Sequence, residues 1–325
     1  MGNDRMELLA RIASLYYEDG LDQARIASQM GYSRSMISRL LAEAHEQRVV
    51  EIRVHHPLQR RQELESELQQ RLGLKIVRVL KRGQLDHTHM LRRLGGLAAP
   101  VVEELAHDQS TLGVSWGTGL LELVNALSPR SRSNIHVVQL IGLIGASDSP
   151  EIDNPELAQR LARTLGGRYS ILPAPLLVDS ESTREALLND YRVQRVLTHV
   201  RQMELALMGI GAVEAQYSTL VRAGCISTAQ ADELAQAGAV GDVSAIYYDR
   251  QGRIINSPLT RRVISIDPAT LNAVPNKLGI AGGQAKPLAI LGAVRANLVN
   301  ILITDDVAAS GVIRELDAQS EGEKG

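Results

Sequence analysis

Four glycine-bearing stretches place hydroxyl, carboxylate and ammonium groups where apolar runs end. In SWGTG, Ser115 to Gly119, the run TLGV gives way to a helix beginning near Leu120. Backbone N–H groups at a helix N-terminus favour an anion, and Gly117 and Gly119 let one approach the chain closely. Thr118 adds a hydroxyl. MGIGA, Met208 to Ala212, is another glycine-rich end to an apolar strand. GAVGDVSAIYYDRQG places Asp242 between a tight turn and a strand. GIAGGQAKPL places Lys286 early in a helix after a Gly-Gly turn, where an ammonium meets a phosphate or a carboxylate. Ligands of open α/β sheets gather at the C-terminal ends of strands, so a small site holding Thr118, Asp242 and Lys286 together is expected. Taken singly, Asp242 also reads as a turn-former and Lys286 as a solvated surface lysine.

A second chemistry lies near the start of the chain, in LDQARIASQMGYSRSMISRLL, Leu21 to Leu41. Ser33 is a good N-cap for a helix from Arg34 to about Gln47 that buries Ile37, Leu40, Leu41 and Ala44. Its other face presents Arg34, Ser35, Ser38 and Arg39, then Ala42 and His45. Arginine bonds guanine O6/N7 or phosphate, and serine bonds either kind of acceptor. Gln23 and Arg25, on the preceding helix, are placed for phosphate contact. A helix–turn–helix puts its recognition helix in the major groove in this way. The plainer alternative is a three-helix core with a solvated arginine face.

The elements that must position these groups follow from periodicity. Residues 4–19 place Met6, Leu9, Ile12, Ala13, Leu15 and Tyr16 at helical spacing, ended by Gly20. A short helix from about Asp22 stops at Gly31. VVEIRVHHP alternates around Val50, Ile52 and Val54 and reads as a wing strand. LQRRQELESELQQRLG spaces Leu64, Leu68 and Leu72 by four, as a linker helix or a short dimer seam. From Leu74 onward strand-like runs (LKIVRVL, TLGVSW, HVVQLIGLI, YSILPAPLLV, ELALMGIG, VSAIYYD, VISID, NKLGIAGG, LVNILITD) alternate with helices, mostly one by one. That pattern implies a mostly parallel, doubly wound sheet. The expected boundaries are 1–56 for the winged helix–turn–helix, 57–73 for the linker helix, 74–318 for the effector-binding and oligomerisation domain, and 319–325 for a disordered tail.

Composition narrows the function classes. A chain of 325 residues holds one small and one large domain. No run of eighteen apolar residues suggests a membrane span, and the acidic, h-region-free N-terminus does not read as a signal peptide. One cysteine, Cys225, fits a reducing cytosol; no neighbour in GCIS marks it as a nucleophile. A net charge of −2 confines any DNA affinity to a local patch. Only five of the 35 basic residues are lysine, none before Lys75, so the N-terminal charge is carried by arginine. His87 and His89 lack further ligands at metal spacing and read as a solvated turn; His55 and His56 lie at the wing edge. No metal, cofactor or catalytic residue is expected.

YYEDGLDQARIASQMGYSRSMISRLLAEAHEQRVVEIRV resembles the winged helix–turn–helix of SorC/DeoR-type transcriptional regulators, which read T-Q-x-x-I-A and then S-R-x-x-V-S-R-L-L. Asp22 stands where the family commonly has Thr, and Arg48 where a Gly is usual. The resemblance extends over residues 55–315 through G-V-x-W-G-T, G-I-G, A-V-G-D, A-G-G-x-x-K-x-x-A-I-x-G-A-x-R and L-I-T-D. It implies an effector domain similar to ribose-5-phosphate isomerase and glucosamine-6-phosphate deaminase that binds a phosphorylated sugar or sugar alcohol. It implies that the loop Ser115, Gly117, Thr118 and Gly119 holds phosphate, that Asp242 accepts from effector hydroxyls, and that Lys286 neutralises charge. Arg222 falls near a basic residue used by some members. Gly119 replaces a second Thr found in many relatives, which removes one hydroxyl donor.

The expectation is a cytoplasmic homodimer or homotetramer that binds double-stranded operator DNA through Gln23, Ser33, Arg34, Ser35, Ser38 and Arg39. A sugar phosphate would control it. The alternative is a sugar-phosphate isomerase or deaminase with Asp242 as general base, although no second acid or base stands out around it.

Overall fold

The computed structural model describes residues 2–47, 49–50, 58–131, 133–144 and 154–322. The chain divides into two compact units, Met1–Pro57 and Leu58–Gly325.

The first unit has three helices, Gly2–Tyr17, Gln23–Met30 and Arg34–Glu46. The Asp22 carboxylate caps the second, accepting from Arg25 N–H at 2.8 Å, and Gly31 closes it at φ +72°. Ser33 caps the third, accepting from Met36 N–H at 3.2 Å. Leu9, Ile12, Ile26, Ile37, Leu40 and Ala44 are wholly buried. The larger of them each stabilise the unit by roughly 1.5–3 kcal/mol. Arg5 Nε donates to Glu43 at 2.9 Å and ties the first helix to the third. Most of the expected wing, including Ile52 and Val54, lies outside the described residues.

The second unit is α/β. Its strands are β1 (Ile76–Leu80), β2 (Thr111–Val114), β3 (His136–Gln139), β4 (Arg168–Ser170), β5 (Leu205–Ala212), β6 (Ala239–Val243), β7 (Ile246–Asp249), β8 (Asn276–Ile280) and β9 (Ile301–Asp305). Seven form a parallel sheet in the order β1-β9-β8-β5-β2-β3-β4. Two large apolar cores occupy this unit, one built around Met208, Ile290 and Leu302, the other around Leu94, Leu112 and Ile303, with a smaller one around Leu172, Val193 and Ile264. Successive side chains of a strand point to opposite faces. Leu302 and Ile303 therefore serve different cores, and a strand buried on both faces reads as an unbroken apolar run. From β2 the chain adds β3 and β4 on one side; from β5 it adds β8 and β9 on the other. The sheet thus has a switch point between β5 and β2, where a crevice opens.

Several elements differ from the sequence expectation. GAVGD is not a turn before Asp242: residues 239–243 form β6, antiparallel to the end of β5, with Gly211 opposite Asp242. VISID makes only isolated bridges, through Val263 and Ser265. YSILPAPLLV yields just β4, because Pro173 and Pro175 cannot donate to a ladder. Leu68 is wholly buried, and Leu64 and Leu72 pack with it into the α/β core, so these leucines face their own unit and not a dimer seam. The helix Asp306–Gly322 runs through the start of the segment expected to be a disordered tail.

Candidate functional site

A cleft of about 250 Å³ opens at the C-terminal ends of β2, β5 and β8, beside the switch point. Each wall has a local cause. After β2 the chain turns at Gly117 (φ +126°, ψ 154°), a conformation that excludes other residues, and starts the helix Thr118–Ala126. The first described helical bonds come from Leu120 and Leu121 N–H to the Gly117 carbonyl, at 3.0 and 3.1 Å. The N–H groups of Thr118 and Gly119 have no partner among the described residues and stand at the helix start, where anions are favoured. A Cβ at Gly119 would press on Ile280 Cγ2 at 3.2 Å. The absent second hydroxyl therefore goes with a narrow site.

Opposite stands the β6–β7 hairpin, with Val243 paired to Ile246 across a two-residue turn. Ser244 and Ala245 both have positive φ, +54° and +59°, at a cost of roughly 1–2 kcal/mol each for non-glycine residues. Asp242 Oδ2 holds the turn by accepting from Ala245 N–H at 3.1 Å. Gly211 makes room for this carboxylate: a Cβ there would lie 2.0 Å from Asp242 Oδ1. Lys286 caps the helix Pro287–Arg295, and its Nζ donates to the Ile210 carbonyl at 2.9 Å.

The electrostatics are unbalanced. Burial pushes the Asp242 carboxyl up to about 6, against the opposing pull of Ala245 N–H and the Lys286 ammonium. Burial also lowers the Lys286 amine, with Asp242 acting to raise it and Arg222 to lower it. Burial, then the cations Arg222, Arg82 and Lys286, hold the His87 imidazole below its ordinary range, with Asp305 opposing. A cleft that disfavours its own charges in this way is a functional-site candidate, because a ligand with complementary charge relieves the penalty.

Gly117, Thr118, Gly119, Arg222, Asp242 and Lys286 all line this one cleft. Ser115 does not. It is buried, and its N–H continues the sheet by donating to the Leu207 carbonyl at 3.0 Å. Arg222 ends the short helix Thr219–Arg222, and its Nη2 donates to Thr219 Oγ1 at 3.3 Å. Sequence reasoning missed His87, Gln216, Tyr217, Thr219 and Ser244, which also line the cleft. His87 is not a turn residue: Asp86 caps the helix His87–Leu105, and His87 is its first residue. That cap, D-H-T-H, was the available signal. The Cys225 thiol is pushed up to about 11 by burial, and its Sγ faces the Ile144 carbonyl at 3.6 Å, so it is held protonated. Among the described residues no group of three or more His, Cys, Asp or Glu side chains is arranged to hold a metal ion.

In the first unit Arg34, Ser35, Ser38 and Arg39 are exposed along the third helix, and Gln23 is half-buried on the second. Ser33 is exposed but occupied by its cap, with the Ser35 hydroxyl 3.0 Å away. No helix among the described residues is long and apolar enough to cross a membrane.

Residues 56–314 match a protein family described as a sugar-binding domain. The chain is 32% identical over 310 residues to the transcriptional regulator LsrR of Klebsiella pneumoniae, covering 94% of this chain and 93% of that one. It is 28% identical over 316 residues to the deoxyribonucleoside regulator of Bacillus subtilis, covering 97% and 100%. Its fold is similar to the crystal structure of the full-length sorbitol operon regulator SorC from Klebsiella pneumoniae, with a TM-score of 0.72 and 27% identity over 95% of this chain and 99% of that one.

Proposed function

The chain belongs to the SorC-type family of sugar-binding transcriptional regulators, and from that premise we propose that its cleft takes a phosphorylated sugar or sugar alcohol whose binding controls the grip of the N-terminal unit on operator DNA. It is a regulator of carbohydrate metabolism and not an enzyme, so the isomerase or deaminase alternative is set aside. One observation carries the reading of the effector. The N–H groups of Thr118 and Gly119, without partners among the described residues, two cations (Arg222 and Lys286) and one carboxylate (Asp242) surround a single small cleft.

The division of labour follows from chemistry. A helix start and cations suit the doubly charged phosphate. A carboxylate accepts from hydroxyls, and inorganic phosphate has no carbon chain to supply them. The α/β unit is read as akin to ribose-5-phosphate isomerase, and the N-terminal unit as a winged helix–turn–helix. Its helix Arg34–Glu46 would enter the major groove, with Arg34, Ser35, Ser38 and Arg39 toward bases and phosphates and Gln23 toward the backbone. Ser33 would act through its cap. The chain would work in the cytoplasm as a homodimer or homotetramer. An effector that binds one assembly arrangement better than another shifts the population between them, and with it operator affinity.

A mobility-shift assay on DNA upstream of the chain's own coding region tests this, with phosphorylated sugars and their unphosphorylated counterparts. The expected outcome is a shift that only phosphorylated compounds alter. A shift insensitive to every sugar phosphate, or one altered equally by the free sugars, would overturn the proposed effector.

A further inference from the structure

Several buried hydroxyls in the α/β unit have partners. Tyr248 OH donates to the Ala289 carbonyl at 3.0 Å, Ser110 Oγ to the His107 carbonyl at 2.7 Å, and Ser133 Oγ to the Leu165 carbonyl. Among the described residues, the buried side-chain polar atoms left without a partner belong to Gln139, Ser244, Tyr247, Arg250 and Thr304. Of these five, only Ser244 lines the cleft. It is 2% exposed, so bulk solvent does not satisfy its Oγ.

The hairpin turn does not need that hydroxyl. A two-residue turn with positive φ at both positions favours Gly or Asn, and the turn's own anchor is the bond from Ala245 N–H to Asp242 Oδ2. Ser244 thus places in the cleft wall a hydroxyl that can both donate and accept and has no partner among the described residues. It sits two residues from Asp242, on the hairpin and not on the helix start that presents Thr118 and Gly119.

We infer that Ser244 is a specificity-determining residue: its hydroxyl bonds a hydroxyl or carbonyl oxygen on the carbon chain of the effector, beside the group from which Asp242 accepts. The inference rests on the cleft being the effector site. A buried hydroxyl without a partner penalises the free protein and rewards the ligand that supplies one. Such a site rejects an analogue that lacks the matching oxygen.

The test compares the full chain with Ser244→Ala in two measurements. The first is the thermal midpoint without ligand, expected to be unchanged or higher in S244A because no bond is lost. The second is a calorimetric titration with a panel of phosphorylated sugars and polyols, their deoxy analogues, and inorganic phosphate. S244A is expected to bind the tightest sugar phosphate about tenfold more weakly, the factor for one neutral hydrogen bond, and to bind inorganic phosphate as the natural chain does. One deoxy analogue is expected to bind both proteins equally. Equal affinity of the two proteins for every sugar phosphate would overturn the inference and leave the effector reading standing. So would a lowered midpoint with phosphate and sugar phosphate weakened alike, which marks a structural role. A natural chain that binds no sugar phosphate would overturn the effector reading, and this inference with it.

Discussion

Arg34 and Arg39 stand exposed on the third helix with no ion-pair partner among the described residues, while Glu43 on the same helix is held by Arg5. Each guanidinium is therefore free for a phosphate or a guanine edge. Replacing Arg39 by Ala is expected to weaken operator binding by about 1–3 kcal/mol if the contact is bidentate. The thermal midpoint should barely move, because an exposed side chain without partners contributes little to folding. Fluorescence anisotropy with labelled operator gives the first number, a melt the second, and effector titration should be unaltered. Loss of DNA and effector binding together would instead mean misfolding. The same scale explains what sequence could not reveal. Ser244 has no local signature, since Ser is an ordinary turn residue, and its significance comes from a partner it lacks after folding. His87 is exposed, as expected, but its place on the cleft was not legible because the cations around it, Arg222, Arg82 and Lys286, come from distant parts of the chain.

Among the elements, β5 and β6 meet where glycine and carboxylate share one cross-strand position. Gly211→Ala would set a methyl 2.0 Å from Asp242 Oδ1 and force the carboxylate aside. Overpacking of this kind costs about 1–3 kcal/mol. The expected result is a lower thermal midpoint and weaker effector binding by calorimetry, with operator affinity in the absence of effector preserved. An unchanged effector affinity would show that Asp242 does not need its present position. Strands of unbroken apolar residues, such as ILITD in β9 and LALMGIGA in β5, were legible because both faces are covered. AVGDV was not: with Gly241 and Asp242 at its centre it has weak strand propensity, and it pairs because β5 offers an open edge beyond β8 and β2. The reverse happened at VISID, whose apolar residues fill the core with only isolated bridges. Helix limits in the first unit were well marked because Asp22, Ser33 and Gly31 signal their own caps.

For the whole molecule, the cleft lies in the α/β unit and the arginine-bearing helix in the N-terminal unit, so the proposed control would work through how copies present their N-terminal units. A symmetric oligomer reads symmetric DNA, and the operator is expected to consist of paired half-sites in rough palindrome. Footprinting checks this, and protection of one unpaired half-site would contradict it. The first unit also has a consequence for its own regulation. No lysine precedes Lys75, so the proposed recognition stripe carries its permanent charge on guanidinium groups, those of Arg34 and Arg39. Lysine acylation, which cancels charge on many nucleic-acid-binding surfaces, has no side chain to act on there. Guanidinium groups stay protonated throughout the physiological range, and lysine-directed crosslinkers find no ε-amine on that stripe. Acetyl-donor levels are thereby denied a direct hold on its charge.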